Sequence, residues 1–194
     1  FLGPAGEFDL QLLYGKKDLE VNMPSWTSGQ YADVDTETFG VTPKYVLETD
    51  LFGFGNKLIL GADYYREPYR KTFYGTRERR GQNSQADLMR EGLGSYIRDE
   101  FQLLKRLVLS AGYRLERTVI EGKATDRITP ANDFSDREKA YRAEACEAGL
   151  TWLAGGESKL FAKIATVYRI PFLDEVASFN GFGGGFLQDL DREK

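Results

Sequence analysis

The sequence contains no histidine and only one cysteine, Cys146, in a chain of 194 residues. Without histidine the chain cannot form a serine–histidine triad or a histidine zinc motif, and it lacks the most common general base. A single cysteine excludes an internal disulfide, and its place inside a predicted strand favours a packed side chain over a reactive thiol. We therefore predict that the protein is not an enzyme and takes no cofactor.

The sequence also lacks an apolar run long enough for a transmembrane helix, and residues 1–4 have neither an initiating methionine nor the features of a signal peptide. We expect the chain to begin either within a longer protein or after processing, and we favour the first. A net charge of −4 argues against a nucleic-acid partner, because such proteins usually carry a basic excess. Membrane strands stay possible, since each needs only roughly 9–11 residues.

The clearest pattern that is present is an alternation of apolar and polar side chains over residues 107–117. Successive side chains of a strand point to opposite faces, so this run predicts a strand with one apolar face and one wet face. Similar runs predict six further strands at residues 7–14, 36–48, 57–66, 88–101, 140–153 and 159–169. The predicted fold class is all-β, an antiparallel up-and-down meander of about seven long strands.

The connections between these strands alternate between long and short. Long polar segments cover residues 15–33, 67–87 and 118–139, and tight turns cover residues 50–56, 103–106 and 154–157. A meander therefore has all its short turns at one rim, as outer-membrane barrels do, and aromatic residues gather near the strand ends as in interfacial girdles. The same periodicity also fits a soluble antiparallel sandwich or barrel with its apolar face turned inward.

One pair of predicted strands resembles a hairpin of TonB-dependent outer-membrane receptors. The first strand carries Tyr96, Asp99 and Glu100, and the second carries Gly112 and Arg114. In that family an aromatic–x–x–Asp–Glu strand precedes a Gly–x–Arg strand.

A second segment is similar to a motif of the same family, in which a strand opens into an extracellular loop. It begins at Tyr168 and continues through Arg169, Pro171, Asp174 and Glu175, which match the pattern aromatic–Arg–x–Pro–x–x–Asp/Glu. We interpret the residues of both motifs as structural.

The resemblance implies that residues 1–194 form one partial transmembrane β-barrel domain, an open segment of a large barrel, without the plug domain and the remaining strands. It implies the outer membrane of a Gram-negative bacterium, contact with outer-membrane lipid, and energy from the TonB complex through the missing N-terminal part. The expected function is import of a scarce small-molecule ligand, an iron–siderophore complex. A passive porin-like barrel and a soluble β-sandwich carbohydrate-binding or adhesion domain are the alternatives.

Basic and aromatic residues concentrate in the second long connection. The candidate ligand contacts there are Arg70, Tyr74, Arg77, Arg79 and Arg80. Guanidinium groups pair with carboxylate oxygens and aromatic rings add flat contact, so this set suits an anionic iron chelate. The alternatives are a solvated loop balanced by Glu67 and Glu78, or a basic rim that contacts lipopolysaccharide phosphates. No catalytic or metal-binding residues are predicted.

Two further expectations concern the strand faces. Charged residues on the polar parity are expected to pair across strands and hydrate an interior; they are Asp9, Lys44, Glu48, Asp63, Arg90, Arg98, Arg114, Glu116 and Lys163. The apolar parity, including Leu58, Leu60, Leu107 and Leu109, is expected to face lipid rather than a dry interior.

Overall fold

A computed structural model describes residues 6–23, 30–155, 158–176, 185–187 and 189–192, so residues 1–4 lie outside the described part. Seven strands form one antiparallel sheet in chain order. The strands are β1 (Gly6–Met23), β2 (Gln30–Leu51), β3 (Phe54–Tyr74), β4 (Gln82–Leu104), β5 (Leu107–Asp126), β6 (Phe134–Gly155) and β7 (Ser158–Ala165). The predicted all-β meander is confirmed. No helix among the described residues is long and apolar enough to cross a membrane.

The short connections lie at one rim of the sheet. Phe52 and Gly53 join β2 to β3 with φ angles of 56° and 80°, the left-handed values that a type I′ hairpin turn requires and that suit the twist of the strands. Lys105 and Arg106 join β4 to β5. At the other rim, residues 75–81 join β3 to β4, and residues 127–133 join β5 to β6 through the 3₁₀ turn Pro130–Asn132.

The extents predicted for the long connections are wrong. Strands β3, β4 and β5 continue through most of residues 67–87 and 118–126, and β1 reaches Met23. Apolar and polar residues still alternate there, but the apolar residues now lie at the other set of alternate positions and therefore on the other face of the sheet. β7 differs in the opposite direction, because it ends at Ala165 instead of residue 169.

The register separates the side chains into two faces. The covered face carries the odd-numbered residues of β1, β3, β6 and β7 and the even-numbered residues of β2, β4 and β5, apart from irregularities near the rims. The helix α1 (Leu173–Val176) packs against it. The opposite parities form the open face. We call the strand segments nearest the short turns the lower half, and the rest the upper half.

The hydrophobic core lies on the upper half of the covered face. Ile120 and Val176 are its largest fully buried side chains. The other buried members are Ala32, Phe73, Ala86, Leu88, Ala124, Phe134, Tyr141 and Leu173, with Val21, Tyr69, Ile170, Phe186 and Leu190 packed partly against them. The core is therefore made by the sheet and the C-terminal segment together.

The lower half of the open face is mostly apolar and bare, and its polar members include Asn56 and Asp99, which hydrogen-bond to each other. Leu60 is 40% exposed and Leu109 is 37% exposed, and Leu58 and Leu107 are half-buried. All described strands belong to a single sheet, and no second sheet of the described residues covers these leucines. A β-sandwich, which would cover this face, is therefore wrong for this chain.

The open face changes from apolar to charged along the strands. The first charged residues above the apolar band are Lys16, Glu37, Arg66, Glu91, Arg117 and Glu144 on β1 to β6. Lys16 lies opposite Glu37 and Arg66 opposite Glu91, but Arg117 lies opposite Leu93, two positions nearer the short turns. The strands of a closed barrel are tilted against the barrel axis and staggered relative to one another. A boundary between apolar and charged residues that shifts by two positions from strand to strand therefore stays at one height along the barrel axis.

The height of the apolar band agrees with a membrane. On β3 it extends from Phe54 to Tyr64. The ten steps between these residues, at roughly 3.4 Å each and tilted by about 40°, rise roughly 25 Å, which is the height of the apolar band on outer-membrane barrels.

Candidate functional site

A cavity of about 590 Å³ lies on the upper half of the covered face, between β1–β4 and residues 172–174. We call it the covered-face cavity. Its apolar lining residues are Leu19, Val21, Met23, Ala32, Val34, Phe73, Phe172 and Leu173. Its polar lining residues are Lys17, Thr36, Glu67, Tyr69, Lys71, Arg90 and Asp174. An apolar cavity with a few convergent polar groups is the usual form of a small-molecule site.

Lys71 is the most distinctive polar group of this cavity. Its Nζ lies 4.9 Å from the ring centroid of Phe73, and it forms no ion pair with any described carboxylate. Burial lowers the pKa of Lys71, and the charge of Asp174 offsets part of this effect. A desolvated ammonium group on an apolar wall gains by pairing with an anion, which restores part of the interaction that water provided.

Tyr69 and Arg90 complete the polar lining near Lys71. Burial, with a further contribution from Asp174, raises the pKa of Tyr69 to about 12, so its phenol remains a hydrogen-bond donor at neutral pH. Arg90 lies 3.0 Å from Glu67, and this pair balances its own charge. Lys17 also lines the cavity but is exposed, so Lys71 is the partly buried positive charge of this wall that lies apart from the described carboxylates.

The predicted ligand contacts lie elsewhere, and the structure brings only some of them together. Arg70 lies on the open face, where its Nε donates to Asp87 Oδ1 at 2.5 Å. The guanidinium of Arg79 lies 6.0 Å from the ring of Tyr74 and donates from Nε to Asp33 Oδ1 at 2.6 Å.

The remaining two candidates, Arg77 and Arg80, are exposed in the connection between β3 and β4. The Arg80 backbone N–H donates to Thr76 Oγ1 at 3.2 Å, which shapes the turn. None of the five predicted contacts lines the covered-face cavity. Arg70 instead lines an open-face groove of about 870 Å³.

Lys71 belongs to the basic and aromatic residues of the second long connection, but it was not among the five predicted ligand contacts. A signal for it was present, because Tyr69, Lys71 and Phe73 share one parity and Arg70 lies on the other. Whether a residue occupies an odd or an even position of a strand decides which face its side chain reaches. This alternation could not be applied to residues 67–87 while they were predicted to form a loop.

The residues of the predicted hairpin motif make contacts within β4 and with the neighbouring strands. Asp99 accepts a hydrogen bond from Asn56 Nδ2 of β3 at 2.7 Å, and Glu100 accepts one from Arg98 Nη2 of its own strand at 2.8 Å. The ring of Tyr96 lies over Gly61, where any Cβ would collide with it. Gly112 similarly leaves room for the side chain of Glu147 on β6.

Arg114, the last residue of that motif, is a hub on the covered face. It donates hydrogen bonds to Asp63, Glu116 and Tyr168 at 2.5, 3.2 and 3.1 Å. Its guanidinium also lies 5.9 Å from the ring of Tyr96. The hub joins three strands of the wall to the C-terminal segment.

The second motif forms a compact corner after β7. Arg169 Nη1 donates to both carboxylate oxygens of Glu175 at 2.9 Å, and the Phe172 backbone N–H donates to Glu175 Oε2 at 2.8 Å. Pro171 is buried, and Asp174 is exposed toward the covered-face cavity. These contacts are consistent with the structural role that we expected.

The charges expected to pair on the polar parity do so. Lys44 lies 3.0 Å from Asp9 and Lys57 lies 2.9 Å from Glu48. Arg98 and Lys163 both pair with Glu147. Together with the Arg114 and Arg90 pairs, these contacts form a polar lining on the covered face. Within the described ranges, no three His, Cys, Asp or Glu side chains are grouped to hold a metal ion.

The sequence matches the family described as TonB dependent receptor-like, beta-barrel, over residues 3–194. The chain belongs to the TonB-dependent receptor family. The resemblance seen in the sequence is thereby confirmed, as is the barrel-wall fold. Receptors of this family are transporters. Among curated proteins no sequence matches this chain.

Three solved structures show the same fold. The ferric citrate transporter FecA in its unliganded form is 13% identical, with a TM-score of 0.73 over 85% of this chain and 25% of its own. The copper transporter OprC is 16% identical, with a TM-score of 0.72 over 98% of this chain and 33% of its own. The open form of the ferric-catecholate import receptor Fiu from E. coli K12 is 12% identical, with a TM-score of 0.66 over 84% and 33%. The chain thus spans a quarter to a third of these receptors.

Proposed function

We propose that this chain is part of the barrel wall of an outer-membrane receptor of a Gram-negative bacterium, and that the receptor binds and imports an iron–siderophore complex. The whole of residues 1–194 belongs to the barrel domain, and a plug and further strands complete it. TonB supplies the energy through the N-terminal part of the complete receptor. The desolvated Lys71 on the wall of the covered-face cavity is the observation that carries the choice of an anionic ligand.

The two faces support this orientation. The bare apolar band on the lower open face suits lipid, because strands in a membrane need apolar side chains toward the hydrocarbon and a polar lining toward the lumen. The ion pairs of the covered face supply that lining. The upper half, with its charged open face, then extends into water outside the membrane.

The covered-face cavity has the chemistry that a ferric chelate requires. Siderophore complexes combine an organic, partly apolar body with negative charge, and the cavity places the Lys71 ammonium among Val34, Phe73 and Phe172. Arg77 and Arg80 at the rim of the upper half are placed to attract the same anion from solution, and we propose them as its first contacts. FecA and Fiu are named for ferric citrate transport and ferric-catecholate import.

The test compares Lys71→Met with Lys123→Met in the complete receptor. Lys123 is a lysine on the open face of β5 and serves as the matched control. We expect Lys71→Met to weaken binding of ferric siderophores about tenfold, the value of one hydrogen bond to a charged group, and Lys123→Met to change it less than about twofold. The measurement is a dissociation constant from fluorescence quenching, with ferric citrate, ferric catecholates and cupric ion as probes.

Two further readouts separate the alternatives. Anion binding should weaken as pH rises through the pKa of Lys71, below its ordinary value of 10.5, because only the charged form attracts the ligand. Uptake of ferric chelate that persists in cells without TonB would favour a passive porin-like barrel. Equal affinities for the two lysine variants, or affinity for cupric ion alone, would contradict the proposal.

A further inference from the structure

The hydrogen bonds around Arg114 close into a single cluster. Its three donor nitrogens reach Asp63, Glu116 and Tyr168, and the Tyr168 hydroxyl donates to Glu116 Oε2 at 2.6 Å. Asp63 is buried, so this pair is shielded from water more than the other ion pairs of the covered face. The planar guanidinium is suited to this task, because it presents several donors in fixed directions.

Gly94 gives Arg114 the space to reach Asp63. Asp63 lies on β3 and Arg114 on β5, so the pair must cross β4 between them. A Cβ at Gly94 would lie 2.6 Å from Arg114 Nη2 and 3.1 Å from its Cζ. Gly92 lies on the same face of β4, but a Cβ there would meet only Thr118 Oγ1, at 3.4 Å. Of these two glycines of β4, only Gly94 is needed to leave space for the Arg114 guanidinium.

Tyr168 connects this cluster to the C-terminal segment. The tyrosine follows the end of β7 at Ala165, and the chain then turns onto the covered face. Leu173 and Val176 enter the core with 5% and 0% exposure. Phe172 and Asp174, the two residues that flank Leu173 in the chain, form one wall of the covered-face cavity. The position of this cavity wall depends on the point at which residues 169–176 leave the sheet.

We propose that Arg114 is a positioning residue that acts through Tyr168. Held by Asp63 and Glu116, it fixes the point at which residues 169–176 cross the covered face, and so it sets the wall that Phe172 and Asp174 give to the cavity. The consequence for ligand binding rests on the proposed function, whereas the positioning itself does not require a ligand. Arg114 is not a ligand contact in this proposal.

The experiment uses the complete receptor in lipid vesicles, with Cys146→Ala and a nitroxide label on Asp174→Cys. We compare Tyr168→Phe, Gly94→Ala and Gly92→Ala in this background. Tyr168→Phe removes two hydrogen bonds to charged groups, and Gly94→Ala displaces the guanidinium. Each should move the equilibrium between docked and undocked segment about tenfold and increase the mobile part of the spectrum. Gly92→Ala should leave the spectrum unchanged.

Two controls distinguish positioning from general loosening of the barrel. A second label on Ile128, which is exposed at the upper rim, should keep its spectrum in every variant. In an Arg114→Ala background, Gly94→Ala should add nothing, because its effect passes through the guanidinium. Heat-modifiable gel mobility identifies the variants that fold as barrels.

The proposal is overturned if Tyr168→Phe keeps the parental spectrum in a folded barrel, or if Gly92→Ala and Gly94→Ala behave alike. It is also overturned if the labels on Asp174→Cys and Ile128→Cys loosen together. A ferric-siderophore dissociation constant measured on the same variants should rise with Tyr168→Phe. If no chelate binds while the Asp174 label responds as expected, the proposed function fails and the positioning role of Arg114 stands.

Discussion

The lower and upper halves of the sheet use the same strands with opposite polarity. In the lower half the open face carries bare leucines such as Leu60 and Leu109, and the covered face carries ion pairs such as Asp9–Lys44. In the upper half the open face is charged, and the covered face holds the buried core around Ile120. The exchange occurs on a single strand, since Leu109 and Ile120 both belong to β5.

In the proposed orientation, each half is matched to its own surroundings. A sheet in lipid places apolar residues outward and lines its lumen with water-compatible groups. A sheet in water does the reverse, and it then needs a cover for its apolar side. Residues 173–176 provide part of that cover. In the proposed orientation, the reversal of polarity marks the level at which the receptor leaves the membrane.

The largest expected effect separates the two halves of the open face. Leu109→Arg places a charge on the apolar band, and we expect it to lower the free energy of unfolding from lipid vesicles by about 2–4 kcal/mol. Val119→Arg makes a comparable change on the same face of β5 in the upper half, and we expect a loss within about 1 kcal/mol. Reversible denaturant unfolding in vesicles measures both. Equal decreases in the free energy of unfolding for the two variants would show that the edge of the lipid layer does not lie between residues 109 and 119.

The smallest expected effect concerns the charged upper half of the open face. Partial burial acts to raise the pKa of Asp87, but hydrogen bonds from Arg70 and Gln85 outweigh it, so the pKa lies below its ordinary value of 3.8. A depressed carboxyl pKa contributes stability above the unfolded pKa that is lost as pH falls through the folded one. Arg70 is 60% exposed, so solvent screening limits this contribution to less than about 1 kcal/mol.

Asp87→Asn should therefore lower the free energy of unfolding slightly at pH 7, and the difference from the parent should persist to about pH 4 and disappear as the pH falls further, through the lowered pKa of Asp87. Unfolding curves recorded between about pH 7 and pH 2 measure this. Asp18→Asn, at a carboxylate that is 61% exposed, is the control and should have little effect at any pH. A difference for Asp87→Asn that grows on acidification would have the wrong sign for this account.

The sequence was informative about the lower half and misleading about the upper half. Residues 107–117 keep one phase of alternation, as do residues 7–14, and this was enough to place the strands and their open-face parity. Above them the apolar parity changes, for example from Leu12 and Tyr14 to Leu19 and Val21. Where the apolar residues change from even to odd positions, or the reverse, the strand pattern is interrupted and the segment resembles a polar loop. The predicted strands were therefore too short.

The candidate site could be predicted only in part. The resemblance predicted Arg114 and residues 169–175 as structural elements, and both make hydrogen bonds within the wall and the corner. The covered-face cavity could not be derived, because it depends on a long-range contact between residues 172–174 and β1–β4. Arg70 and Lys71 illustrate the difference, since adjacent residues on one strand point to opposite faces. The composition of the segment showed the positive charge but not its direction.

The most direct test of the reversal of polarity is the depth of the open face of β5 in the membrane. Nitroxide labels at positions 109, 113, 121 and 123 of the complete receptor, in a Cys146→Ala background, report collisions with oxygen in lipid and with a nickel chelate in water. We predict oxygen contact at 109 and 113 and nickel contact at 121 and 123. Nickel contact at all four positions, or oxygen contact at all four, would contradict the account.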